Sequence, residues 1–114
     1  MKPRRSERLT EIIREEVGGI LRRDVSDPRL GFVTVTRVKV SPDGTHAFIF
    51  YSTLGTVEER EKTREAIESS RAYIRRLLAG RIRVRTVPEL HFIHDISVEQ
   101  GEKVLGLMGG MEES

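Results

Sequence analysis

The stretch FVTVTRVKVSPDGTHAFIFYST, residues 32–53, constrains the fold more than any other part of the chain. Two runs rich in β-branched and aromatic residues flank Ser41-Pro42-Asp43-Gly44, whose composition is that of a turn. The spacing predicts a hairpin with strands over 32–40 and 46–53. Within the first strand the alternation changes phase. Val33 and Val35 share one face, whereas Val38 and Val40 share the other. Either a bulge lies near Thr36–Arg37, or both faces are partly covered.

Helical periodicity brackets this hairpin. Leu9, Ile12, Ile13, Val17, Ile20 and Leu21 recur with one apolar face, after a candidate N-cap at Ser6. Gly18 and Gly19 interrupt that face, each at about 1 kcal/mol relative to Ala. Close backbone packing against the sheet is the expected compensation. SDPRLG, residues 26–31, ends the helix with Asp-Pro and Gly turn chemistry. After the hairpin, Ala66, Ile67, Ser70, Ile74, Leu77 and Leu78 form a second helical stripe, with Gly80 as its C-cap. Residues 81–88 read as an extended crossover, in which Pro88 bars a central strand position. ELHFIHD, residues 89–95, reads as a third strand. Helix, strand, strand, long helix, strand is most simply one layer of helices on one small sheet, an α+β domain.

A chain of 114 residues makes one such domain, with a mixed apolar and charged composition suited to water. Cysteine is absent, which excludes disulfides and thiolate metal sites. The basic start MKPRRSERLTEIIREEV has no continuous apolar core of a signal peptide, and no run is long enough to span a membrane. Cytoplasmic residence is expected. The expected division is a flexible basic extension over 1–5, a folded domain over 6–96, and a tail over 97–114 that frays after at most a short helix.

Charge is nearly balanced, with 20 Lys+Arg against 18 Asp+Glu, but it is not evenly spread. RAYIRRLLAGRIRVR, residues 71–85, holds Arg71, Arg75, Arg76, Arg81, Arg83 and Arg85 and no acid. On a helix Arg71 and Arg75 share a face with Arg64. In an extended crossover Arg81, Arg83 and Arg85 point the same way. Helix and crossover together could present one guanidinium surface, suited to phosphate oxygens and to stacking on bases. The alternative is a solvated face paired with the acids of residues 58–68. The missing acids tilt the reading toward an anionic partner, which is either a nucleic acid or an acidic protein.

Other chemistry is weakly supported. His91 and His94 stand three apart on a predicted strand, so they face opposite sides and cannot share an ion. The remaining histidine, His46, lies on the hairpin. A hydrolase built on His91, His94 or Asp95 would need a metal, and none is expected. No serine sits in a Gly-x-Ser-x-Gly elbow, and LGLMGG is not a phosphate-binding loop. The adjacent pairs Glu15–Glu16 and Glu58–Glu59 do not share a helix face. Ser69 and Ser70 in mid-helix suggest a kink or a close approach.

DPRLGFVTVTRVKVSPD (27–43) and YIRRLLAGRIRVRTVPELHF (73–92), at this separation and in this order of elements, resemble the ribosome-binding factor A family of bacteria. The resemblance runs from about Arg8 to Asp95. It implies a type II KH-like fold, α-β-β-α-kink-α-β. KH domains clamp RNA with a Gly-x-x-Gly loop. The family has a helix–kink–helix with Ala-x-Gly instead, where this chain reads Ser70-Arg71-Ala72. The resemblance implies a non-catalytic, cofactor-free monomer that binds the immature 30S subunit and its 16S rRNA. It further implies a part in late maturation and 5′-end processing, support of growth in the cold, and release by an assembly GTPase. Ser70 and Ala72 would then allow close approach to RNA. Arg71, Arg75, Arg76, Arg81, Arg83 and Arg85 would contact it, and Lys2, Arg4, Arg5 and Arg8 would add a second electrostatic contact.

Overall fold

A computed structural model describes residues 5–95. The elements are α1 (Arg5–Arg23), β1 (Val33–Val40), β2 (His46–Thr53), α2 (Val57–Ala79) and β3 (Glu89–His94). The sheet order is β1-β2-β3, with β1 antiparallel and β3 parallel to β2. A tight turn can join antiparallel strands, whereas the parallel pair needs the long return that α2 supplies. Both helices lie on one face of the sheet, and the α+β architecture is the expected KH-like one. None of the described helices is long and apolar enough to cross a membrane.

The phase change in β1 is a bulge. Register shifts between Val35 and Arg37. Thr36, the extra residue, places its hydroxyl 2.8 Å from Asp95 Oδ2 and 3.2 Å from the Phe50 carbonyl, so its single proton is shared between the two acceptors. The bulge lets Val33, Val35, Val38 and Val40 all serve the core while tying β1 to the end of β3. β2 alternates without interruption. Ala47, Ile49, Tyr51 and Thr53 are buried beneath the helices, and His46, Phe48, Phe50 and Ser52 line the open face.

Both predicted stripes reach the core. Ile13, Val17, Ile20 and Leu21 of α1 meet Ile67, Ile74 and Leu78 of α2 over Ile49 and Leu90. Ile12 is the exception, 45% exposed at the rim. Three local expectations need correction. Ser6 lies within α1 rather than ahead of it, because the helix already includes Arg5. The atoms that a Cβ on Gly18 or Gly19 would meet belong to Arg22 and Arg23, four residues on in the same helix, and not to the sheet. The missing Cβ atoms make room for guanidinium stems folded back along α1.

The third correction concerns α2. It runs as one helix through Ser70-Arg71-Ala72, so the expected helix–kink–helix is a single element. Ala72 is the best helix former at a place where the family has Gly. The Ser69 hydroxyl accepts from Arg29 Nη2 at 3.2 Å, which ties this part of α2 to the turn after α1. The N-terminus of α2 is fixed by a capping box. Thr56 Oγ1 accepts from the Glu59 N–H at 3.1 Å, and Glu59 Oε1 accepts from the Thr56 N–H at 2.8 Å. At the other end Gly80 is the C-cap, in a right-handed conformation.

The Asp-Pro-Arg-Leu-Gly stretch is a docking clip. Arg29 donates through its backbone N–H, Nε and Nη2 to the Asp27 carboxylate, at 2.9, 3.1 and 2.8 Å. Gly31 donates its N–H to Thr63 Oγ1 on α2 at 3.1 Å. A Cβ on Gly31 would stand 3.1 Å from that same oxygen, so the contact favours glycine. Thr63 is fully buried, and Thr63→Val keeps its shape while removing the acceptor. The substitution is expected to cost about 1 kcal/mol in urea unfolding, because the Gly31 N–H loses its protein partner. It should also speed amide exchange at Gly31.

The hairpin turn carries a pH-sensitive element. The Asp43 carboxylate accepts from the Ser41 hydroxyl, the Thr45 hydroxyl and the Thr45 N–H, at 2.7, 2.7 and 3.1 Å. These bonds favour the charged form, Ser41 most strongly, and hold its pKa down to about 2. The folded value lies below the unfolded one, so this stabilisation is present above about pH 4 and is lost as pH falls toward 2. Asp43→Asn should therefore remove a stability difference that is constant near neutrality and shrinks below about pH 4. Urea unfolding of both proteins across that range measures it.

Candidate nucleic-acid interface

The six arginines of residues 71–85 have different surroundings, and the differences come from other elements. Arg75 is a clamp. Its Nε donates to the Pro88 carbonyl at 3.1 Å and its Nη2 to the Val87 carbonyl at 2.7 Å. It holds the end of the crossover against α2, just before β3 begins. Arg81 also has a structural role, with Nη2 3.0 Å from Asp24 Oδ2 and Nη1 4.0 Å from Glu16 Oε1, both in or just after α1. Arg71 lies 3.8 Å from Glu68 Oε1 in an exposed pair, which contributes little to stability. The Arg76 guanidinium carbon stands 5.5 Å from the Tyr73 ring centroid. Arg64 is engaged by Glu61, one turn earlier on α2.

Arg83 and Arg85 differ from the rest. Both are exposed, and neither makes an ion pair or side-chain hydrogen bond with the described residues. The crossover is bent rather than extended, yet its alternation survives. Ile82 is buried and Val84 and Val87 pack against the core, so Arg83 and Arg85 are turned to solvent. The block is therefore not acid-free in space. Acids from α1 and from the preceding turn of α2 reach Arg81 and Arg71, which a linear reading does not see.

Ser70, Arg71 and Ala72 do not share one surface. Ser70 is half-buried and lines a shallow cleft with Ser69, Tyr73, Asp24 and Asp27. Arg71 and Ala72 are exposed and line another with Arg75, Glu89 and Leu90. Arg8 is exposed on the first turns of α1, which Arg5 opens. Lys2 and Arg4 lie outside the described residues, as does the tail over 97–114.

The open face of the sheet carries a second group of cationic and aromatic side chains. There the Arg37 guanidinium carbon lies 4.2 Å from the Phe50 ring centroid, within reach of Asp95 at 4.0 Å. His46, Phe48 and His91 form a ring cluster beside it. The period-2 pattern of HAFIFY signalled one side of this face. The partner strand could not be read, because parallel register is set by the length and seat of α2. His91 and His94 do fall on opposite faces, as their spacing requires. His94 sits beside the buried Tyr51 ring, 5.5 Å between centroids. Burial pushes the Tyr51 phenol upward from its ordinary pKa.

Two helices on one face of a three-stranded mixed sheet, with an arginine-bearing helix and crossover at one edge, define a KH-like domain with a cationic surface. The ribosome-binding factor A family model matches residues 5–108, and the chain belongs to that family. It is 45% identical over 109 residues to ribosome-binding factor A of Thermomicrobium roseum, covering 96% of this chain and 84% of that one. It is similar to the solution structure of a Thermotoga maritima protein described as a putative ribosome-binding factor A. The TM-score is 0.72 at 33% identity, with 87% of this chain and 95% of that one covered. A homology model of Thermus thermophilus ribosome-binding factor A, fitted into the cryo-EM map of a 30S complex with that factor, is similar with a TM-score of 0.59. Identity there is 25%, covering 84% of this chain and 97% of that one.

Proposed function

We propose that this chain is a non-catalytic assembly factor that binds the immature 30S subunit in the cytoplasm through 16S rRNA. The observation that carries the contact site is the pair Arg83 and Arg85, exposed without anionic partners among the described residues, on a crossover that Arg75 pins to α2. A crossover backbone already seated against α2 and guanidinium groups with no internal partner among the described residues suit phosphate, since binding requires neither ordering of the backbone nor breaking of an ion pair. Arg71 and Arg76 extend that surface along α2, and Arg8 with the N-terminal cations adds a second contact. Family membership and the 30S complex of the Thermus relative support the same partner. In this reading the chain acts as a monomer without a cofactor. It favours late folding and 5′-end processing of the rRNA, most of all in the cold, and leaves with the help of a GTPase.

Co-sedimentation of the full chain with purified immature small subunits tests the partner. Binding should fall steeply with salt, as counterions return to the freed phosphates. RNase treatment of a pull-down should release the chain. Retention after RNase would replace this reading with that of a domain binding an acidic protein. Crosslinks mapped at nucleotide level should fall on 16S rRNA from Arg83, Arg85 and Arg71.

A further inference from the structure

The parallel register of β2 and β3 gathers three side chains that are far apart in the chain. His46 lies directly opposite Glu89, and His91 is two residues on, on the same open face. His46 Nδ1 and His91 Nε2 stand 2.9 Å apart. One donor atom from each of His46, Glu89 and His91 falls within 4.8 Å of the others. We infer that these residues form a binding site for a divalent transition metal of the zinc class.

Two nitrogens bound to one tetrahedral zinc at about 2.0–2.1 Å lie roughly 3.3 Å apart, so the imidazoles need to open by a few tenths of an ångström and to turn their nitrogens from each other toward a common point. Two histidines and a glutamate are a donor set that zinc accepts, leaving a position for water. Imidazole nitrogen selects zinc, nickel or copper over magnesium and calcium, which prefer oxygen. In the metal-free protein one ring donates its N–H to the other. A change of tautomer moves that proton to the outer nitrogen, and both inner lone pairs then face the ion.

The rings are also held in place. Phe48 stacks on His91, with centroids 5.0 Å apart and planes 19° apart, and lies 6.4 Å from His46. The backbone below them is fixed by the Glu89 N–H to the Thr45 carbonyl at 2.8 Å and by the His46 N–H to Ser41 Oγ at 3.0 Å. An ion here would join the first register pair of the edge strand β3 to its neighbour, and so would stabilise the parallel half of the sheet. This inference is independent of the proposed RNA contact, because it concerns the free protein.

Zinc alone, titrated into the metal-free full chain against a chromophoric chelator at neutral pH, provides the test. One ion should bind per chain with micromolar affinity, and the melting temperature should rise by on the order of 5 °C at saturation. His46→Ala and His91→Ala should each weaken binding by about tenfold or more, since losing a direct ligand costs at least as much as losing its supporting partner. Glu89→Gln should weaken it less, and His94→Ala should leave it unchanged. Absence of saturable binding at submillimolar zinc, or binding that survives the His46→Ala/His91→Ala pair, overturns the site. Should a variant fail to fold, histidine ring resonances of the unaltered protein decide. Zinc-induced shifts at His46 and His91 support the site, and shifts confined to His94 overturn it.

Discussion

Ile74→Ala is expected to cost about 3–4 kcal/mol and to lower the melting temperature by on the order of 15 °C. Ile74 is fully buried on α2, in the cluster that includes Ile20, Ile67 and Leu78. Truncation removes apolar packing and leaves a cavity, because neighbours on three elements are each fixed by their own surroundings. Domains of this kind have only about 5–15 kcal/mol in total, so the loss is a large share. Ile12→Ala is the matched control. It deletes the same atoms from a side chain that is 45% exposed, and should cost under about 1 kcal/mol. Thermal and urea unfolding of the two variants check the contrast. Equal costs would mean that α2 does not dock on α1 and the sheet as described.

Replacing Arg71, Arg83 and Arg85 together by Glu is expected to lower affinity for immature small subunits by about tenfold for each residue engaged with phosphate. The melting temperature should stay close to that of the parent. Two of these arginines have no anionic partner among the described residues, and the third has only an exposed one, so reversing them removes little internal energy. Arg75 and Arg81 are left out of this variant deliberately. Arg75→Glu would aim a carboxylate at the carbonyls of Val87 and Pro88, and Arg81→Glu would face Asp24 and Glu16. Either change would confuse weaker binding with damaged structure. The salt dependence separates the two explanations. For every arginine that neutralises a phosphate, its reversal should flatten the slope of log affinity against log salt by about 0.7–0.9. An unchanged slope and unchanged co-sedimentation of the folded triple variant would remove Arg71, Arg83 and Arg85 from the interface.

Local periodicity carried most of the fold. The strands of the hairpin and both helical stripes followed from period 2 and period 3.6, and one phase change narrowed β1 to a bulge or two covered faces, of which the register shift beside Thr36 is the first. These signals are legible because each reports which side of a local element meets the core. Boundaries and compensations were less visible. Ser6 falls inside α1, and the glycines of α1 accommodate arginine stems from their own helix. α2 stays whole at Ser70-Arg71-Ala72, and Ser69 beside it is bonded to Arg29, a residue 40 positions earlier.

The sequence by itself determined where positive charge is dense. Only the tertiary structure decided what that charge does. Arg75 clamps a backbone, Arg81 pairs with Asp24, and Arg83 and Arg85 are turned outward by the burial of Ile82 beneath them. The histidines divide in the same way. The spacing of His91 and His94 settles that they face opposite sides, since a strand repeats every two residues. The meeting of His46 with His91 depends on parallel register across the return through α2, and no local period records a register set by packing.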